Sequence, residues 1–272
     1  MALSFDPNEW TDLILRWTHV FAAIMWVGTT FYFTWLDGRF AELKEKSSGK
    51  AEPTPEKTVW MVHSGGFYVV EKQKTPTVMP GKLHWFRWEA AVTWLSGILL
   101  FILVYYYRGQ MVPTEDPRIS ATAATIWSLV LLAAGWLVYD LLWSSRLFAN
   151  EMIGGVVCYL LVVATTYGLF KFFATRAACL QLGAMFGTIM AANVWMRILP
   201  AQRRMVAALN QGQPPNLAEG RRAKTRSKHN TFIVFPVVFL MLSQHFPGTH
   251  HWLMVCFLVL LGWGAAKVIR RA

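Results

Sequence analysis

The apolar positions fall into seven long runs, at about 11–36, 86–106, 119–143, 153–173, 176–198, 230–246 and 250–268. Each is near the roughly 20 residues needed to cross a bilayer as a helix. Polar stretches separate them, and two are long: about 37–83 and 199–228. In the first, Thr58–His63 and Phe67–Glu71 are β-prone runs either side of Ser64-Gly65-Gly66, the pattern of a hairpin. The second carries Gln211-Gly-Gln-Pro-Pro215 and a basic run to Lys228, and reads as a surface loop. The link between the fourth and fifth runs, at Lys171–Arg176, leaves room only for a tight turn. The expected fold is all-α: one integral membrane domain over 1–272, a bundle of about seven transmembrane helices capped by a small cytoplasmic β-hairpin.

Composition agrees. The chain is 55% hydrophobic and 15% aromatic, with 14 tryptophans, a mixture uncommon in soluble domains. The net charge of +11 is therefore read as topology and not as nucleic-acid binding. Lys and Arg crowd the two long connections and the C-terminus, while the connections on the other side have only Arg108, Arg118, Lys171 and Arg176. The positive-inside rule places the N-terminus outside, which for the bacterial inner membrane expected here is the periplasm, and the C-terminus in the cytoplasm. No cleavable signal peptide is evident. Cys158, Cys179 and Cys256 lie inside apolar runs, and no Cys-x-x-Cys-His is present, so no haem c is attached covalently.

Polar residues within such helices are costly and mark function. The second run opens on His84-Trp-Phe-Arg87-Trp88-Glu89, where helical spacing would put His84, Arg87 and Trp88 on one face and Glu89 away from it. Asp140, Asn193, Arg197, Lys228, His229 and Asn230 fall at the same cytoplasmic depth, beneath His63 of the hairpin. Four histidines, His19, His245, His250 and His251, fall toward the other face. Imidazoles on facing helices can hold b-type haem, with His19, His84, His229 and His245 as axial candidates. A proton or ion path without haem, or ordinary snorkelling charge, would use the same residues.

The stretches Val62–Tyr68, His84–Ala90, Asn193–Trp195, Ser227–Thr231 and Ser243–Pro247 resemble the membrane domain of the PuuD-type urate oxidase, a urate hydroxylase coupled to cytochrome c. Helix one, from Trp17-Thr-His19 to Gly28, is similar over a shorter span to HemJ-type and CopD-type membrane proteins, and in the HemJ type a comparable histidine is associated with haem. The first resemblance implies oxidation of urate, or a similar purine, to 5-hydroxyisourate at the cytoplasmic face. Electrons would leave through one or two b-type haems. The family's cytochrome c domain follows a further helix, whereas this chain ends at Ala272, so a separate periplasmic cytochrome c is the expected partner, with other membrane subunits as further candidates. Arg87, Arg197 and Lys228 are candidates for the substrate's negative charge, since fixed cations in a poorly hydrated site favour an anion. Asn193 and Asn230 could hydrogen-bond its carbonyls and ring nitrogens, and Glu89 or His63 could serve as general base. Two rival readings use the same fold: a non-catalytic membrane subunit of a respiratory or photosynthetic complex, and a HemJ-like porphyrin- or haem-handling protein.

Overall fold

A computed structural model describes residues 6–48, 58–73, 76, 79–145, 150–243, 245–246 and 251–269. Seven helices follow in order: α1 Pro7–Ser48, α2 Trp88–Tyr107, α3 Ala121–Ser144, α4 Glu151–Phe172, α5 Thr175–Asn210, α6 Leu217–Ser243 and α7 Trp252–Ile269. All but α6 are long and apolar enough to cross a membrane. The apolar part of α6, Thr231–Ser243, spans only about 20 Å at 1.5 Å per residue.

Local chemistry sets several helix starts. Ser120 accepts the Ala123 N–H at 3.2 Å ahead of α3, and Asn150 accepts that of Met152 at 2.9 Å ahead of α4. Asn216 does the same for Ala218 ahead of α6, at 3.0 Å. The expected tight turn between α4 and α5 is Phe173-Ala174, with the Ala174 N–H donating to the Met111 carbonyl at 2.9 Å.

The hairpin forms where its pattern placed it. β1 Thr58–His63 pairs antiparallel with β2 Gly66–Glu71, with His63 opposite Gly66. Ser64 and Gly65 make the turn at φ 50° and 75°, the left-handed pair that suits a two-residue hairpin. It rests beside α1: Tyr32 reaches the Met61 sulfur at 3.6 Å, and Lys72 pairs with Asp37.

Three expectations need correction. The stretch 199–228 is not a surface loop. α5 continues past Ile198 to Asn210, α6 begins at Leu217, and only a short turn remains between them. Helix formers such as Met205-Val-Ala-Ala and Ala218-Glu outweigh Gln-Gly-Gln-Pro-Pro. α5 instead widens into a π-turn over Asn193–Ile198, just before Pro200, whose ring removes a backbone donor and crowds the preceding turn. The second helix starts at Trp88, with Arg87 as its N-cap, so His84 and Arg87 share no helical face with Trp88. The first helix extends to Ser48, well past residue 36.

α5 is the buried axis of the bundle, packed against α2, α3, α4 and α6. Side chains such as Leu13, Trp17, Phe21 and Ile24 of α1 face outward, as on a lipid-facing surface. Ion pairs mark two levels of α1. Asp12 pairs with Arg16 at 2.5 Å and with Arg108 at 2.9 Å, and Asp37 pairs with Lys72 at the hairpin end. The helical rise between Asp12 and Asp37 is about 38 Å, close to a bilayer with its headgroups.

Candidate functional site

Polar side chains from α3, α5 and α6 meet in the hairpin half of the bundle. Asp140, buried on α3, accepts from Arg197 Nε at 2.8 Å and from Arg226 Nη2 at 2.9 Å. Arg226 is buried, also donates to the Asp140 carbonyl at 3.2 Å, and lies over the Tyr139 ring at 4.9 Å. Its Nη1 and the Asn193 Oδ1 are buried without a partner among the described residues.

A chain of hydrogen bonds runs beside this ion cluster. Asn193 Nδ2 donates to Asn230 Oδ1 at 2.9 Å and to Tyr139 Oη at 3.0 Å. Tyr139 lies 2.7 Å from His229 Nδ1. The tyrosine hydrogen has no other acceptor among the described residues, its oxygen receiving the Asn193 donor, so it goes to His229 Nδ1. That fixes the tautomer with its hydrogen on Nε2. The His229 ring packs against Trp143 with centroids 4.2 Å apart. Burial, and then the Arg226 cation, push its pKa down to about 4, so it is neutral at physiological pH.

Two cavities flank the chain. The first, of about 1050 Å³, opens at the hairpin end between α1, α5, α6 and the segment Leu83–Phe86 that precedes α2. Trp26, Phe33, Trp85 and Phe86 form aromatic walls, and His84, Gln202 and Asn230 reach it. Arg221, Lys224 and Lys228 border it, against Asp37 and Glu151. Lys224 pairs with Asp37 at 3.5 Å and Lys228 with Glu151, while Arg221 has no ion-pair partner among the described residues. The border is therefore net positive. The second cavity, of about 1090 Å³, is apolar and lies among α3, α4, α5, α6 and α7, with His229, Trp143, Lys228 and Glu151 toward its hairpin end.

Of the substrate-site candidates, Lys228 and Asn230 border the first cavity; Asn193 lies one hydrogen bond behind Asn230. Arg197 is tied to Asp140, and Arg87 stands over the Trp88 ring at 5.2 Å, neither of them lining either cavity. The base candidates Glu89 and His63 also stay outside both, His63 exposed at the hairpin turn.

The haem candidates are not gathered together. His19 is held between α1 and α2, its Nδ1 donating to the Thr93 carbonyl at 2.9 Å, with Ser96 Oγ at 3.2 Å. A Cβ on Gly97 would fall 2.9 Å from the His19 ring, so that glycine permits the approach. His84 is exposed ahead of α2, and His245 is exposed in the turn after α6. Among the described residues no group of three His, Cys, Asp or Glu could hold a metal ion. His250 lies outside the described residues.

Sequence reading missed Tyr139, Arg221, Lys224 and Arg226. The last three sit in the stretch taken for a loop, and i,i+3 and i,i+4 spacing from Asn230 back through Arg226 was the available signal.

The family model described as urate oxidase N-terminal matches residues 7–271. No curated protein and no solved structure matches the chain.

Proposed function

The chain belongs to the urate oxidase N-terminal family, and from that premise we propose that it is a multi-pass membrane oxidoreductase that oxidises urate, or a similar purine, in the cavity at the hairpin end. That end faces the cytoplasm under the positive-inside rule. The observation that carries the reading is the chemistry of the cavity: planar aromatic walls beside a net-positive border. Urate is a flat, bicyclic anion at neutral pH. Trp85 and Phe86 offer stacking surfaces, Arg221, Lys224 and Lys228 offset its charge, and Asn230 hydrogen-bonds its edge. His84, which borders this cavity, replaces His63 and Glu89 as the candidate base that takes a proton from the attacking water.

The reaction balances as urate anion plus water giving 5-hydroxyisourate, one proton and two electrons. Water oxygen bonds to C5 of the purine, and the electron pair leaves the ring system. For b-type haem, the residue that fits is His19. Its Nδ1–H is committed to a backbone carbonyl, which leaves Nε2 as the ligand atom, as in metal-binding imidazoles generally. Haem bound there would supply one-electron transfer, and a periplasmic cytochrome c would take the electrons outside. His229 carries its hydrogen on Nε2 and does not suit a metal in that tautomer.

The test is an optical spectrum of the purified protein, oxidised with ferricyanide, then given urate, then dithionite. A b-type spectrum partly reduced by urate is expected. A b-type spectrum indifferent to urate would remove the purine, and no haem spectrum in protein made with ample haem would remove His19 as a ligand.

A further inference from the structure

We propose that the apolar cavity among α3, α4, α5, α6 and α7 is a binding site for an isoprenoid quinone, whose head group accepts a hydrogen bond from His229 Nε2–H. The inference rests on the purine-oxidising reading and adds an electron acceptor within the membrane to the external cytochrome.

Shape is the first argument. The cavity follows α4 from Glu151 to Thr165 and α3 from Trp143 back to Leu131, a depth of about 20 Å along the helix axes. Away from the hairpin end its walls are side chains such as Leu131, Leu161 and Val162, which suit a long hydrocarbon tail. Met152 and Leu161 are exposed on its α4 side, giving a lateral route from lipid.

The polar end identifies the head group. Lys228 is paired with Glu151, and His229 is neutral, so among the lining groups only Lys267 adds an uncompensated charge at the mouth. A phospholipid phosphate or a pair of haem propionates would call for more fixed cation than that. A neutral carbonyl calls for a donor, and the Tyr139 bond leaves His229 as a donor. The Trp143 ring against His229 offers an aromatic face to a flat quinone. The indole N–H of Trp263, also on the cavity wall, is buried without a partner among the described residues.

Connection to the purine cavity is the third argument. Asn230 borders one cavity and His229 the other, and Asn193 and Tyr139 join them by hydrogen bonds. Lys228 and Glu151 border both. The balanced step is urate anion, water, quinone and one proton giving 5-hydroxyisourate and quinol. The electron pair from the purine reduces the quinone, and its two carbonyl oxygens become hydroxyls.

The experiment uses the full chain in detergent with decylubiquinone, following tryptophan fluorescence quenching for binding and anaerobic urate-driven quinol formation for turnover. Saturable quenching is expected, weakened about five- to tenfold in His229→Phe and largely restored in His229→Gln. Leu161→Trp, which fills the apolar cavity, should abolish quinol formation and keep urate-driven ferricyanide reduction. Binding unaffected by both His229→Phe and Leu161→Trp would overturn the site. So would a cavity that excludes decylubiquinone while retaining phospholipid or haem on mass and optical analysis. Ferricyanide reduction by urate without quinone binding would sink the quinone alone. Quinone binding with no urate-driven reduction of any acceptor would sink the purine reading and leave the quinone site standing.

Discussion

Replacing Asp140 with asparagine keeps the shape of the side chain and removes the charge that holds two guanidiniums. Arg197 is exposed and can turn to water, but Arg226 is only 6% exposed and already has one nitrogen without a partner. The substitution strands that cation. Removing one partner of a buried pair costs about 3–5 kcal/mol, because the remaining charge keeps its desolvation penalty. The comparison is Asp37→Asn, which breaks exposed pairs with Lys72 and Lys224, the Asp37 and Lys72 side chains being 45% and 46% exposed; such pairs contribute about 0–1 kcal/mol each. At about 2–4 °C per kcal/mol for a chain of this size, Asp140→Asn should lower the unfolding midpoint by about 6–20 °C and Asp37→Asn by at most about 4 °C per pair broken. Cys179 and Cys256 are free and buried, so a thiol-reactive fluorophore reports unfolding in detergent. Adding Arg226→Met to Asp140→Asn should recover part of the loss. Equal midpoints for the two single variants would refute the assignment of Asp140–Arg226 as a buried structural pair.

Arg221→Ala with Lys224→Ala should raise the KM for urate about tenfold or more with unchanged haem content; an unchanged KM would remove the cationic border from substrate binding. Arg87→Ala should leave urate turnover within about twofold, since Arg87 sits against Trp88 and off the cavity; loss of turnover with haem retained would return it to the site. Gly97→Ala puts a methyl at the His19 ring and should lose the b-type spectrum while the helical content persists; a normal spectrum would free His19 of that role. His229 faces Arg226, Lys228, Glu151 and Tyr139, and its folded pKa of about 4 lies below the ordinary 6.5. The unfolded chain therefore binds the proton first as pH falls. His229 stabilises the fold fully above about pH 6.5, and that contribution is lost on descending toward pH 4. Unfolding midpoints at pH 7.5 and 5.0 should fall less in His229→Gln than in the wild type; equal drops would contradict this.

The hairpin was legible because Ser64-Gly65 carries its own turn chemistry and needs no tertiary context. Six helices were legible because mean apolarity alone marks them. The seventh was harder: α6 joins a basic first half, through Arg226 and Lys228, to an apolar second half, so a membrane window sees only its end. Arg226 looked like loop charge since nothing local says that Asp140 on α3 will meet it. Gln181 was invisible for the same reason. It is fully buried, with its oxygen taking the Ser128 hydroxyl at 2.6 Å, and it lies amid an unremarkable apolar run. The prominent His84-Trp-Phe-Arg87 motif misled in the opposite way. Its charges suggested a helical face, yet the helix begins one residue after Arg87, and it is Trp85 and Phe86 that shape the cavity.

Purine oxidation by this chain can be tested by electron counting. Purified protein is mixed anaerobically with limiting urate and excess ferricyanide, and both urate consumed and ferricyanide reduced are measured. Two ferricyanide should be reduced per urate, with 5-hydroxyisourate as the first product and its new oxygen drawn from labelled water. Folded, haem-replete protein that reduces no ferricyanide on urate addition would contradict it.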